Sequence, residues 1–154
     1  MIRVQEQPFD LAEELAALRQ GNHAIGGTAI FLGSVRDLNL GEQVSAMTLE
    51  HYPGMTEKAL EAIEREACAR WPLDASLIVH RHGRMEPGED IVLVITCSSH
   101  REAAFEACQF LMDWLKTKAP FWKLEEGGAG ERTKWVDARE SDDKAAARWS
   151  KSGA

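Results

Sequence analysis

Residues 75–97 read ASLIVHRHGRMEPGEDIVLVITC. Two runs rich in branched aliphatics, 75–82 and 90–97, flank a turn around Glu86-Pro87-Gly88. Strands joined by so short a turn pair antiparallel, because parallel neighbours need a crossover of a dozen or more residues. Outward from this hairpin, 26–36 (GGTAIFLGSVR) and 44–51 (VSAMTLEH) read as further strands around the polar loop DLNLGEQ, and 2–6 as a short one. Three helices interleave with them. Asp10 caps a helix to Gln20 with Leu11, Leu15 and Leu18 on one side, stopped by Gly21-Asn22. Residues 56–70 place Ala59, Leu60, Ile63 and Ala67 inward, and Trp71-Pro72 closes them. The longest helix follows the hairpin. Ser99 and Glu102 have capping-box spacing, Ala104, Cys108, Leu111, Met112 and Leu115 form one buried stripe, and Pro120 ends it. The Gly- and Glu-rich stretch 124–132 reads as a mobile loop, 133–136 as an edge strand, and the charged tail from Glu140 as a last helix. Helices interleaved with hairpin-linked strands predict an α+β fold: a mixed or antiparallel sheet with flanking helices, in a single domain spanning 1–154.

A chain of 154 residues fits one domain and buries roughly two thirds of its unfolded surface, so it needs no covalent staples. Its net charge of -7 argues against nucleic-acid binding, so a positive site must be a local cluster. Cys68, Cys97 and Cys108 are odd in number, widely spaced and set in apolar stretches. They read as buried thiols of a cytosolic protein rather than disulfides or zinc ligands. No apolar run is long enough to span a membrane, and MIRVQEQPFD lacks the core of a signal peptide.

The basic residues His100, Arg101, Lys116, Lys118 and Lys123 stand out in this acidic chain. A helix N-terminus already favours an anion, so Arg101 in the first turn makes sense beside a bound phosphate or carboxylate; pairing with a nearby glutamate is an equal alternative. The three lysines bracket the C-terminal end of the long helix, where cations also complement the dipole. In KAPFWK (118–123), two aromatics beside a proline suit a rigid pocket wall. The two ends of the helix are some 25–30 Å apart at 1.5 Å per residue, so a single pocket holding both His100 and Lys116 requires a fold-back or a second subunit. Arg36, at the end of a strand, is placed to meet a ligand. His51 and Tyr52 read as structural. His80 and His82 alternate on one strand, but no third ligand is evident, so no metal site is expected. Gly26-Gly27 and Gly127-Gly128 do not fit a phosphate loop.

Residues 36–58, RDLNLGEQVSAMTLEHYPGMTEK, and 99–123, SHREAAFEACQFLMDWLKTKAPFWK, closely resemble the two signature segments of the molybdopterin synthase large-subunit family; WVDARESD at 135–142 is a third, weaker match. The resemblance runs over nearly the whole chain, with a departure at 124–132. It implies an α/β-hammerhead-like fold and a sulfurtransferase with no resident cofactor. The implied substrate is cyclic pyranopterin monophosphate. The implied partners are a small ubiquitin-like sulfur carrier ending in Gly-Gly and a second copy of the chain, in a homodimer at the core of a heterotetramer. By position, Lys116 and Lys123 match the family's essential lysines. Arg36, His100 and Arg101 match its anion-pocket residues, and Arg139 matches an arginine directed to the neighbouring subunit. Phe31 and Met112 match segments that line the carrier-tail channel. Two other functions would share these features: a non-catalytic module that grips a carrier tail, and a different phosphate-handling enzyme. The number of basic side chains favours the synthase over the module, which needs a single carboxylate contact.

Overall fold

The computed structural model describes residues 1–39, 41–127, 133–136 and 140–151. The hairpin at the centre of the sequence is the centre of the fold. β5 (Leu73–Arg81) and β7 (Asp90–Ser98) pair antiparallel, with Ile78 opposite Val94. β2 (Gly27–Ser34) adds antiparallel to the outer side of β7. β1 (Ile2–Gln5) adds parallel to β5, which makes this four-stranded sheet mixed, in the order β1-β5-β7-β2. A second, antiparallel sheet is built on β4 (Glu42–His51). β3 (Leu38–Asn39) and β8 (Phe121–Gly127) flank β4, β9 (Thr133–Val136) lies beyond β8 at the edge, and the short β6 (Gly83–Met85) also pairs with β4. The fold is thus α+β as expected, with its strands divided between two sheets. The stretch 124–127, expected to be loop, continues strand β8; residues 128–132 lie outside the described residues.

Both faces of β5 and β7 are covered, which explains their nearly unbroken apolar runs. Alternation sorts the side chains. Leu77, Val79, Leu93, Ile95 and Cys97 pack against α1 (Leu11–Arg19) through Leu11, Leu15 and Leu18. Ile78, Val92 and Val94 face the other way, into the main core shared with α2 (Met55–Arg70) and α3 (Arg101–Thr117). On α3 the predicted stripe Ala104, Cys108, Leu111, Met112 and Leu115 is buried throughout. On α2, Thr56 joins Leu60, Ile63 and Ala67 inside, while Ala59 is only partly buried.

Two local expectations are corrected. α3 begins one residue later than a Ser99–Glu102 capping box would require: His100 is the N-cap, and its side chain makes no capping bond. Cys68 is exposed, because it follows Ala67 on α2 and points off the buried stripe; Cys97 and Cys108 are buried as expected. No helix of the described residues is long and apolar enough to cross a membrane.

The charged tail docks on a shared carboxylate and on Arg70, whose guanidinium donates to the Trp149 carbonyl at 3.0 Å. Beyond α4 (Glu140–Ala147), Arg148 and Trp149 in a 3-10 turn both donate to the buried Asp113 of α3, at 2.7 Å from the guanidinium and 2.6 Å from the indole Nε1. The Trp149 ring meets Trp71 and Phe110 edge-on. Asp113→Ala removes the acceptor these donors share and should cost about 2 kcal/mol. Hydrogen exchange will then accelerate across 140–151 while the hairpin strands stay protected; unchanged protection of the tail would contradict its docking through Asp113.

Candidate active site

Three connections bring distant residues to one cavity of about 640 Å³ between the two sheets. The first is the end of β2. Phe31 to Arg36 run along its rim, and Val35 is held by paired backbone bonds, donating to Glu89 and accepting from Gly88. The second is the last two turns of α3, which present Met112, Leu115 and Lys116. The third is the return of the chain. Lys118 is the C-cap, Pro120 cannot continue the helix, and β8 starts at Phe121. Successive strand residues face opposite ways, so Phe121, Lys123 and Glu125 all turn to the cavity while Trp122 points out, 48% exposed. The aromatic wall expected from KAPFWK is therefore Phe121 alone.

The cavity gathers Phe31, Arg36, Met112, Lys116 and Lys123, five of the eight residues singled out in the sequence. His100 and Arg101 are not among its lining. They are exposed at the start of α3, and sixteen residues of helix separate His100 from Lys116, roughly 24 Å. The separation foreseen from helix length is thus real within one chain. Arg139 lies outside the described residues.

Sequence reasoning missed three ionisable lining residues: His80, Glu125 and Asp142. Glu125 fell in a stretch read as loop. His80 was weighed only as a metal ligand, and no group of three metal-binding side chains occurs among the described residues. Its ring instead stacks on Phe121, centroids 3.9 Å apart and planes at 18°, with Nδ1 2.9 Å from the Arg81 carbonyl. Burial, with the nearby charges of Lys116 and Lys123, pulls its pKa down to about 4. His51 pairs with His82, ring centroids 4.4 Å apart, and also approaches Phe121, with centroids 6.2 Å apart; its Nδ1 lies 3.2 Å from the buried Thr56 hydroxyl, in keeping with a structural role.

Chemically, the cavity offers three cations, Arg36, Lys116 and Lys123, against two carboxylates, Glu125 and Asp142. It is a locally positive, half-apolar chamber in a chain of net charge -7. None of Cys68, Cys97 and Cys108 lines it, and burial pushes the Cys108 thiol up to about 11.

The molecule is an α+β scaffold that encloses a cationic, apolar-walled chamber between its two sheets. Residues 4–118 match the family model described as MoaE protein. The chain is 56% identical over 96% of its length to the molybdopterin synthase catalytic subunit of Ralstonia nicotianae, covering 83% of it. To that of Pseudomonas aeruginosa it is 57% identical over 96% of this chain and 97% of the relative. The solved structure of the molybdopterin biosynthesis MoaE protein from Burkholderia ambifaria superposes with a TM-score of 0.82 at 57% identity, with 97% of each chain covered. The chain belongs to the MoaE family, the catalytic subunits of molybdopterin synthase, enzymes of molybdenum cofactor biosynthesis.

Proposed function

We propose that the chain moves sulfur from the thiocarboxylated C-terminus of a small ubiquitin-like carrier to cyclic pyranopterin monophosphate, building the dithiolene of molybdopterin. The observation that carries this reading is the convergence of Arg36, Lys116 and Lys123 on a cavity whose other walls are Phe31, Met112 and Phe121. The reaction needs that combination. The substrate brings a phosphate, and the carrier tail ends as a carboxylate once its carbon–sulfur bond has broken and water has supplied the oxygen. Fixed cations stabilise both anions most strongly where water is scarce. Phe31 and Met112 suit the apolar sides of a narrow channel for an extended Gly-Gly tail. Lys116 and Lys123 hold the developing charge and move protons, and Arg36 positions the tail or the phosphate.

His100 and Arg101, about 24 Å from Lys116 along α3, serve the cavity of a second copy. The working unit is then a homodimer with one carrier on each chain. The reconstituted reaction tests this function. The purified chain, mixed with thiocarboxylated carrier and the cyclic pterin, should convert the carrier terminus to carboxylate, read by mass, and yield a pterin that turns fluorescent on oxidation. A carrier that keeps its sulfur would overturn the assignment.

A further inference from the structure

His80 is a lining residue for which neither the fold nor the proposed roles of the lysines accounts. It belongs to the central sheet, yet its ring crosses to the second sheet and stacks on Phe121. Phe121 and Lys123 share one face of β8, so the stack sets the imidazole beside the lysine-bearing wall. A carbonyl oxygen only accepts, so the 2.9 Å contact with the Arg81 carbonyl requires the proton on Nδ1. A neutral ring then carries a bare lone pair on Nε2. With its Nδ1 edge turned to the backbone of its own strand and one face covered by Phe121, Nε2 is the polar atom of the ring left for a cavity neighbour. Burial first, and then the neighbouring charges of Lys116, Lys123 and His51, oppose any second proton on the ring.

We propose that His80 is a positioning residue: a neutral imidazole, clamped by Phe121 and the Arg81 carbonyl, that offers Nε2 as an acceptor to the ammonium groups of Lys116 and Lys123 and aims them at the anionic ligand. A carboxylate in the same place would also hold a lysine, but would cancel the charge the ligand needs. A neutral acceptor orients the ammonium and leaves its field intact. This role rests on the proposed sulfur transfer for its consequence in turnover, but not for its geometry.

Two variants separate the acceptor from the packing. His80→Phe keeps an aromatic ring to stack on Phe121 and removes Nε2. His80→Gln returns an acceptor near the Nε2 position. His80→Phe should lower kcat roughly tenfold or more, with KM for the thiocarboxylated carrier unchanged, because a misaimed lysine costs rate rather than tail binding. His80→Gln should recover most of the loss. A His80→Phe enzyme with wild-type kcat overturns the proposal, and so does a His80→Gln enzyme as slow as His80→Phe, since the residue would then only pack. Nitrogen NMR of the folded chain decides the geometry whether or not the wild type turns over. The His80 ring should show a protonated Nδ1 and bare Nε2 at neutral pH, with a titration midpoint near 4 that rises in Lys116→Ala. A midpoint near 6.5, or one indifferent to Lys116→Ala, sinks the proposal even if sulfur transfer is confirmed.

Discussion

Lys116→Ala and Lys123→Ala will each abolish sulfur transfer while leaving the fold and carrier binding intact. The two side chains reach one cavity from different elements, the last turn of α3 and the second cavity-facing position of β8. They are therefore not interchangeable, and neither can slide into the other's place. Positioned acid–base groups and fixed charges each contribute about 10²- to 10⁴-fold, so single losses should bring turnover to the limit of detection. Stability should barely move. Lys116 is exposed, and its favourable interaction with the helix dipole is at most about 1 kcal/mol. Lys118 is the control. It is a cation at the same helix end, it is exposed, and it does not line the cavity. Lys118→Ala should keep turnover within about threefold of the wild type, given how little an exposed helix-end cation contributes. Near-normal turnover in either of the first two variants, or equal loss in all three, would remove the lysines from the chemistry and leave a general electrostatic effect.

The basic part of this site was legible because local rules fix it, whereas Phe31 and Met112 entered as site residues only with the family resemblance. The spacing of Met112, Leu115 and Lys116 on one helix, and the helix-breaking Pro120 before Phe121, determine that the basic cluster turns back on itself. The same helix length showed that a pocket holding both His100 and Lys116 needs a fold-back of the chain or a second subunit. What stayed hidden depends on which strands from different sheets face each other. His80 meets Phe121 only because β5 and β8 lie on opposite sides of the cavity, and nothing in either segment announces the pairing. Glu125 was lost for a related reason. A Gly- and Glu-rich sequence has low intrinsic strand preference, yet pairing with β4 draws residues as far as Gly127 into the sheet. The division into two sheets was also unreadable, since hairpin connections specify local antiparallel pairing but not how many sheets the pairs form. Helix starts failed by a single residue. Ser99 and Glu102 satisfy the spacing of a capping box, but the Ser99 backbone packs closely on Gly26, whose amide donates to the Ser98 carbonyl just before β2 begins.

That engagement predicts the largest loss of stability from one added methyl group. Gly26-Gly27 is no phosphate loop; the pair is small because the start of α3 passes directly over it. A Cβ at Gly26 would sit 2.1 Å from the Ser99 carbonyl oxygen, and one at Gly27 would sit 3.1 Å from the Arg101 Cα. The obstacles are backbone atoms, and the Gly26 amide is tied to the Ser98 carbonyl at 2.9 Å, so no side-chain rotation relieves the clash. Gly26→Ala must push β2 away from the entry to α3, at about 3 kcal/mol or more. For a chain of this size that lowers the melting temperature by roughly 6–12 °C. Gly88→Ala provides the contrast. Its φ of 93° disfavours any side chain, but its surroundings are open, so it should cost only about 1–2 kcal/mol. If Gly26→Ala melts no lower than Gly88→Ala, the close approach is not rigid. If it melts much lower, it should also turn over slowly, because β2 leads directly from Gly27 to the cavity residues Phe31 and Arg36.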